Sequence, residues 1–554
     1  MKKLLVVISI LVVVGAIGCA KSNPTTTAAP TSATPTAGTT AAATSAKPSA
    51  TAAPTTTQVK VPTGTVTIAV PSLDTEKFLP WLVATPAMPL FEPVYDFLIQ
   101  VDPKTDQLVP SLATDWTMTP DGKTWTLHLR KGVQFQGGYG EFTSADAAFS
   151  ITNMYREDSK GGKAATWRAN ITGVETPDPY TIIVRMKQVD FGFPSDLSSR
   201  TSVGMVSKKY VEAVGEAKAS DAPIGTGSYK FSEHKLGQYM KYEAVPNNWR
   251  VGTPDFQYIV FKAMPEETTR VNALLAGEVD AIPISIDSIS RVKQAGLKVV
   301  GIPEASTSYM AFGGIVDPKN KYYDPKNPFL NKDVRQALNL AVNRKEILAT
   351  IYQGQAAAGT GQFLADGWRD IPTPPYDPEK AKQLLAAAGY SNLAIPIKYH
   401  LQTPDMKPMS EAVAQYWQAI GVKVTLVPSE YSTLRTVVGE GNSSGWTFPF
   451  SMPGYYFDQY ERLMTLQLDP DKLGGYYTAI DPSLYTLVRK LYGNLDIADR
   501  TAVSKSVMKA MADGYWIVPI AVPDTNWALG KRVSSWSPVK TLYASMWETL
   551  TRTQ

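Results

Sequence analysis

"SLATDWTMTPDGKTWTLHLRKGVQFQGG", residues 111 to 138, is the stretch that decides the fold. Apolar and polar residues alternate on both sides of a Pro-Asp-Gly sequence, which is the pattern of two β-strands joined by a tight turn. Gly122 suits the turn because glycine adopts a positive φ without steric cost. The following "FTSADAAFSITNMYR" starts with Thr143 or Ser144 as an N-cap and continues with helical spacing. We therefore predict a β-hairpin followed by an α-helix.

Strand and helix patterns continue to intermix along the chain. "GTVTIAV", from Gly64, alternates as a strand, and "EAVAQYWQAIGVKVTLV" reads as a helix that turns into a strand. In "YDPEKAKQLLAAAGY", Asp377 is a predicted N-cap, Pro378 the first helical residue and Gly389 the stop signal. These patterns predict a mixed α/β body.

Composition and charge exclude several classes of function. The 554 residues are 44% hydrophobic and 19% charged, so the chain can bury several cores. The net charge is only +4, and the basic residues are scattered along the chain, so the sequence indicates no basic patch for nucleic acid. Because Cys19 is the single cysteine, the sequence has neither a disulfide framework nor a thiolate metal cluster.

The N-terminus predicts export and a tether. Two lysines precede the apolar run "LLVVISILVVVGA", and "AIGC" then places small residues before Cys19. Residues 1–19 resemble a lipoprotein signal peptide and lipobox, which implies that Cys19 carries a lipid anchor. An ordinary cleaved signal or a single-pass anchor remains the alternative. Residues 20–58 are nearly all Thr, Ala, Pro and Ser, a composition that predicts a disordered tether.

Six segments carry a resemblance when they are read in order. Residues 111–138 and 142–150 are followed by "PIGTGSYKF", "ETTRVNALLAGEVDAIP", "NKDVRQALNLAVNRKEIL" and "YDPEKAKQLLAAAGY". This order closely resembles the family 5 extracellular solute-binding proteins, the receptors of dipeptide, oligopeptide and nickel ABC importers. The resemblance implies an α/β, class II periplasmic-binding-protein-like two-lobe fold with an extra domain inserted in lobe I.

Transferred to this chain, the resemblance implies domain boundaries and partners. Lobe I takes residues 59–98, 226–303 and 528–554, the inserted domain takes 99–225, and lobe II takes 304–527. The expected partners are a solute, an ABC permease with its ATPase, and the membrane through the Cys19 lipid. We expect a monomer in the cell envelope, anchored to the outer face of the cytoplasmic membrane, with no nucleic-acid partner.

The sequence offers no constellation for catalysis. His128, His234 and His400 lie one in each predicted lobe or domain, and no H-E-x-x-H or G-x-S-x-G motif is present. We therefore expect a binding protein that is not an enzyme and that needs no cofactor. A signalling or interaction module built on the same fold is the second alternative.

"SSGWTFPFSMPGYYFDQY", residues 443 to 460, follows neither the strand nor the helix period. We predict an irregular segment whose aromatic residues line the ligand, although a core cluster under a long loop is the alternative. The candidate ligand-binding residues are Trp446, Phe448, Phe450 and Tyr455, with Trp368, Trp527 and Leu73 from elsewhere in the chain.

The resemblance also bears on the ligand class. Peptide-binding members have an acid shortly after the Gly-Trp pair, which is implied to hold the α-ammonium of the peptide. Here that place falls at Pro449 or Phe450, and the next acid is Asp458. We therefore expect a neutral, oligosaccharide-like or other non-standard solute, with a peptide or a nickel chelate as alternatives. Asp74 or Asp366 is a possible replacement acid.

Overall fold

The computed structural model describes residues 60–83, 85–200, 203–364, 367–400, 405–429, 434, 437, 438, 441–453, 464, 468, 482–492, 494, 496–540 and 546–553. The strands are β1 (Thr65–Val70), β2 (Ile99–Val101), β3 (Leu108–Pro110), β4 (Ala113–Met118), β5 (Thr124–Leu129), β6 (Ile171–Asp178), β7 (Thr181–Met186), β8 (Tyr229–Lys235), β9 (Tyr239–Ala244), β10 (Tyr258–Ala263), β11 (Ala281–Ile284), β12 (Lys298–Ile302), β13 (Ser306–Phe312), β14 (Ala356–Ala358), β15 (Ala394–Tyr399), β16 (Lys423–Pro428), β17 (Thr447–Pro453), β18 (Ile517–Pro523), β19 (Thr525–Leu529), β20 (Val533–Ser535) and β21 (Thr551–Arg552).

The helices of the same residues also follow in chain order. They are α1 (Ser144–Met154), α2 (Ala164–Asn170), α3 (Phe193–Asp196), α4 (Lys208–Val214), α5 (Glu216–Asp221), α6 (Glu267–Ala276), α7 (Ile286–Gln294), α8 (Lys332–Leu340), α9 (Arg344–Thr350), α10 (Pro378–Ala387), α11 (Met406–Ala419), α12 (Pro482–Arg489) and α13 (Ile497–Asp513). Within the described ranges, no helix combines the length and apolar character that a membrane span requires.

Three larger sheets organise these elements. The lobe I sheet has the order β12-β19-β11-β1-β10-β9-β8, and the lobe II sheet has the order β14-β18-β13-β17-β15-β16. A four-stranded sheet has the order β4-β5-β7-β6. Its strands follow β1 and precede β8 along the chain, so they interrupt the sequence of the lobe I sheet. Each of the three sheets packs against hydrophobic residues of its own, as expected for separately built units.

The predicted hairpin is confirmed. β4 and β5 pair in antiparallel orientation, and Gly122 in the turn has a φ of 70°. Trp125, Leu127 and Leu129 of β5 are buried, whereas His128 between them is exposed. The alternation seen in the sequence therefore separates a core face from a solvent face.

The predicted helix signals are also confirmed. Thr143 and Asp146 form a capping box at the start of α1. The Asp377 side chain accepts a hydrogen bond from the Lys380 backbone N–H at 2.9 Å, which caps α10. Gly389, after the end of α10, has a φ of 80°.

The prediction of an irregular segment at residues 443–460 is wrong for Thr447–Pro453, which form the interior strand β17. Phe448, Phe450 and Met452 alternate with the other residues of β17, but Pro449 and Pro453 hide that period in the sequence. Proline disrupts an interior strand only where its nitrogen faces a paired neighbour. In β17 both prolines face the β15 side, where Thr447 is the paired residue among those that the structure describes.

The chain passes between the two lobes twice. β12 of lobe I ends at Ile302 and β13 of lobe II begins at Ser306, so residues 303–305 form one connection. β18 ends at Pro523 and β19 begins at Thr525, so Asp524 forms the other. Thr525, Asn526 and Trp527, assigned to lobe II by the sequence, pair with β11 and β12 of the lobe I sheet.

Candidate functional site

The carboxyl ends of the parallel strands in both large sheets lie towards the connections between the lobes. In lobe II, β15 runs parallel to β16 and β17, and Pro453 at the end of β17 pairs with Ser306, the first residue after the crossing. In lobe I, β1 runs parallel to β10 and β11. Crevices at the carboxyl ends of parallel strands are the usual ligand sites of such sheets. The candidate site therefore lies at the ends of the strands nearest the connections between the two lobes.

Beyond Thr447, the β15 side of β17 has no paired strand among the described residues, and we call this side the open edge. β17 pairs with β13 along its whole length, but with β15 only through Thr447 and Ile397 among the described residues. The Gly313 N–H donates to the Trp446 carbonyl at 2.8 Å, which fixes the alternation of the antiparallel ladder. Residues 447, 449, 451 and 453 consequently point their backbone groups away from β13.

The chemistry of this edge is asymmetric. Pro449 and Pro453 lack an N–H, so Ser451 supplies the donor while all three residues present carbonyl oxygens. An extended ligand that added to this edge would meet more acceptors than donors. The edge therefore favours a partner rich in N–H groups.

A carboxylate lies beside the same part of the sheet. Asp405 precedes α11, and its Oδ2 accepts hydrogen bonds from Ser308 Oγ at 2.9 Å and from the Tyr352 hydroxyl at 2.8 Å. Ser308 pairs directly with Ser451 across β13 and β17. Asp405 is half-buried, while Ser308 and Tyr352 are buried.

Among the described residues, His400 is the basic group that interacts electrostatically with Asp405. Burial raises the pKa of Asp405, and the hydrogen bonds from Tyr352 and Ser308 lower it only in part. Burial lowers the pKa of His400, at the end of β15, so this imidazole is neutral at neutral pH. Burial raises the pKa of Tyr352 well above its ordinary value, so Tyr352 stays a donor.

A second half-buried acid lies in the connection itself. Asp524 Oδ1 accepts a hydrogen bond from the Glu304 N–H at 3.1 Å, and burial raises the pKa of Asp524. Glu304 forms an ion pair with Arg369 of lobe II. The connections therefore carry acidic groups of their own at the edge of the site.

The predicted aromatic residues of β17 belong mostly to the core of lobe II. Trp446 and Phe448 are 7% and 2% exposed, and both lie in the main hydrophobic cluster. Phe450 is half-buried, with its ring centroid 5.6 Å from that of Tyr309. Lys398 Nζ lies 3.7 Å from the centroid of the Trp446 ring. Among these three aromatic residues, Phe450 retains the most accessible surface.

The other predicted site residues are distributed over both lobes. Trp368 is buried in the cluster of lobe II, whereas Leu73 and Trp527 are buried in that of lobe I. Trp527 packs against Trp536 and Trp547 with centroid distances of 5.3 and 5.4 Å. Tyr455, Cys19, Asp366 and Asp458 lie outside the described residues, and Asp74 is exposed. Ligand contact by the predicted residues stays a prediction.

Sequence reasoning missed Asp405, Ser308 and Tyr352. The "TPD" before α11 is a helix-start signal, which by itself suggests an N-cap and no ligand. Only the pairing of β13 with β17 places these residues next to the open edge. No group of three or more His, Cys, Asp or Glu side chains suited to a metal ion occurs in the described part of the chain.

Comparison with known proteins gives consistent similarities. A model of the bacterial extracellular solute-binding proteins, family 5, matches residues 107–467. The heme-binding protein A of Haemophilus influenzae is 31% identical over 387 residues, which cover 65% of this chain and 69% of that protein. The di/tripeptide-binding protein 1 of Pseudomonas aeruginosa is 27% identical over 391 residues, or 64% and 70% of the two chains.

A solved structure has a similar fold. The ABC transporter-associated periplasmic binding protein of Helicobacter pylori, in complex with the peptide STSA, matches with a TM-score of 0.69 and 22% identity. The match covers 89% of this chain and 98% of that one. At this identity the likeness concerns the two-lobe fold.

Proposed function

Because this chain belongs to the bacterial extracellular solute-binding proteins of family 5, we propose that it is the binding receptor of an ABC importer and that its ligand is a peptide. The di/tripeptide-binding relative and the peptide-bound structure support this ligand class. The heme-binding relative makes heme the competing ligand.

The observation that carries the proposal is the open edge of β17, unpaired beyond Thr447 within the described part of the chain, with Asp405 beside it. An extended peptide adds to a sheet edge through backbone hydrogen bonds, and the edge at Pro449, Ser451 and Pro453 presents acceptors for its N–H groups. Asp405 supplies negative charge at the same place. These features suit a peptide better than a neutral solute.

The neutral, oligosaccharide-like ligand expected from the sequence lacks support. The relatives and the structure named above are described as binders of heme or peptides. The expectation rested on Pro449 and Phe450 occupying the place of an acid. Asp405, which is distant in sequence but next to the open edge in space, removes that premise.

The proposed mechanism is closure of the two lobes around the ligand without chemistry. Residues 303–305 and Asp524 connect the lobes, so a change in backbone angles there rotates one sheet relative to the other. A ligand that contacts both sheet edges favours the closed form because its affinity for that form is higher. A permease would then recognise the closed receptor, and separate ATPase subunits would supply the energy.

Isothermal titration calorimetry of the purified protein tests the ligand class. We expect di- and tripeptides to bind with a Kd on the order of 1 μM, or about −8 kcal/mol. Native mass spectrometry before the titration identifies any co-purified molecule, and heme and maltotriose serve as competing probes. Binding of heme or maltotriose with no binding of any peptide would refute the proposal.

Membrane attachment through Cys19 is proposed from the sequence and has a separate test. In the variant Cys19→Ser the acylated thiol is replaced by a hydroxyl, so the protein should move from the membrane fraction to the soluble fraction. Immunoblots of fractionated cells measure the distribution. If the variant stays with the membrane as the parent protein does, the lipid anchor is wrong.

A further inference from the structure

We infer that the unit built on the four-stranded sheet holds lobe II directly, through the ring of Phe191 and the guanidinium of Arg500, and that this contact favours the closed arrangement of the lobes. The guanidinium carbon of Arg500 lies 3.6 Å from the centroid of the Phe191 ring. Phe191 lies between β7 and α3, whereas Arg500 lies on α13 of lobe II. The inference goes beyond the proposed ligand and depends only on a rotation of the lobes about their connections.

Phe191 is directed out of its own unit. Phe193, two residues later, is fully buried in the cluster of the four-stranded sheet, with its ring centroid 5.5 Å from that of Trp167. Phe191 is half-buried and is not a member of that cluster as the described residues define it. Asp190 Oδ1 accepts a hydrogen bond from the Gly192 N–H at 3.1 Å, which fixes the turn around Phe191. The turn therefore anchors one ring in its own unit and presents the other to lobe II.

Arg500 is held in a fixed position at the start of α13. The Asp496 side chain caps this helix by accepting a hydrogen bond from the Asp499 N–H at 2.8 Å. Arg500 Nη1 donates to the Asn494 carbonyl at 3.4 Å, and Val507 further along α13 lies in the main cluster of lobe II. Arg500 is 5% exposed. A guanidinium that is removed from water and lies over an aromatic ring gains more from the contact than an exposed one does.

The unit of the four-stranded sheet is fixed to lobe I. Gln136 Nε2 donates to the carbonyls of Gly227 and Tyr229 at 3.1 and 3.0 Å, and Tyr229 begins β8 of the lobe I sheet. Tyr139 and Ile224 pack against both the cluster of this unit and the cluster of lobe I. The unit therefore moves with lobe I, so a rotation of lobe II about the connections separates the ring from the guanidinium.

The lobes also touch at a second, weaker contact. Gln353 Nε2, between α9 and β14 of lobe II, donates to Asp287 Oδ1 on α7 at 2.8 Å. Both residues are exposed, so this hydrogen bond contributes little. The contact of Phe191 with Arg500 is the one removed from water. Because the population of the competent form sets the apparent affinity, a contact that favours closure raises the affinity for any ligand that the lobes enclose.

Distances between spin labels on the two sides test the inference. Exposed positions for the labels are Lys123, in the turn before β5, and Lys382, on α10 of lobe II. Both are changed to cysteine in the Cys19→Ser protein, which leaves no other thiol in the chain. Double electron–electron resonance then measures the separation of the labels. The ratio of long to short separations reports the ratio of open to closed protein.

We expect Phe191→Ala to raise the ratio of open to closed protein about fivefold, the factor that corresponds to a cation–π contact partly removed from water. Phe191→Tyr keeps an aromatic ring and should leave the ratio unchanged. The matched control is Lys241→Met, which removes the cation from the Tyr258 ring within the lobe I sheet and should also leave the ratio unchanged. An unchanged ratio in Phe191→Ala, or an equal rise in either of the other variants, overturns the inference.

Arg500→Met gives a second test because it removes the cation and keeps the ring. It should raise the ratio by a similar factor, and adding Phe191→Ala to it should raise the ratio no further, since both changes remove the same contact. Additive rises would show that the two residues act separately, which contradicts the inference. Thermal melting checks the folding of each variant, and the Phe191 variants decide the question alone if Arg500→Met does not fold. No ligand is used, so a negative result leaves the peptide function to its own calorimetric test.

Discussion

The variant Arg250→Met is expected to lose about 3–5 kcal/mol of unfolding free energy, the cost of removing one partner from a buried ion pair. Arg250 Nε donates to Asp96 Oδ1 at 2.7 Å, and Nη1 donates to Glu548 Oε1 at 3.0 Å. Asp96 is fully buried and the Glu548 side chain is 4% exposed. The variant would leave both carboxylates in the interior without a cation.

Neighbouring groups increase the expected loss. Burial by itself would lower the pKa of Arg250, but attraction by Asp96 and Glu548 raises it overall. Burial raises the pKa of Glu92 well above its usual range, and repulsion by Glu548 adds to this shift. Arg250 is therefore the cation beside Asp96 and Glu548, and Glu92, four residues before Asp96, adds a third acid to the cluster.

Urea unfolding followed by circular dichroism measures the change. The matched control is Arg185→Met, which breaks the exposed pair of Arg185 with Glu175. We expect this control to change stability little, because exposed pairs contribute little. Equal unfolding midpoints for Arg250→Met and the parent protein would show that the buried network is not a source of stability.

The variant Gly225→Ala is expected to cost about 3 kcal/mol, the upper part of the usual range for an overpacked core. An alanine methyl group would overlap the carbonyl oxygen of Val94 and lie 2.9 Å from Cδ1 of Tyr95. Gly227 meets the same segment, and its N–H donates to the Val94 carbonyl at 2.9 Å. Because the overlapping atoms belong to the backbone of Val94, they cannot move aside as the end of a flexible side chain could.

Gly173→Ala is the matched control for this prediction. Gly173 lies in β6, and a methyl group there would meet no atom within 4 Å. Thermal melting of both variants should show a lower midpoint for Gly225→Ala and a nearly unchanged one for Gly173→Ala. Equal midpoints would mean that the segment around Val94 moves aside at low cost.

Local patterns in the sequence predicted much of the secondary structure. The alternation at Trp125, Leu127 and Leu129 and the caps at Thr143 and Asp377 depend on residues close in sequence, so they are readable directly. The segment "PIGTGSYKF" supported the prediction only through its resemblance to the family. Its two glycines are needed because Gly225 and Gly227 lie against the backbone of Val94, a contact between distant segments that no local sequence pattern reveals.

The candidate site was less predictable for the same reason. The sequence did not predict β17 because prolines are unusual in an interior strand. Only the pairing with β13 shows that the nitrogens of these prolines face away from β13, towards the open edge. Asp405 carried a helix-start signal that its side chain does not follow. Both features depend on the pairing of β13 with β17, between residues that are far apart in the chain.

The late position of β19 has a consequence for how the protein folds as it is made. All strands of the lobe II sheet lie between Ser306 and Pro523, whereas lobe I needs β19 between β11 and β12 to complete its sheet. The lobe II sheet also depends on a late strand, because β18 lies between β14 and β13 and only Asp524 separates β18 from β19. Such distant pairings are slow to form and leave strand edges exposed meanwhile. We expect both large sheets to be completed together, only after the segment from β18 to β19 has been made.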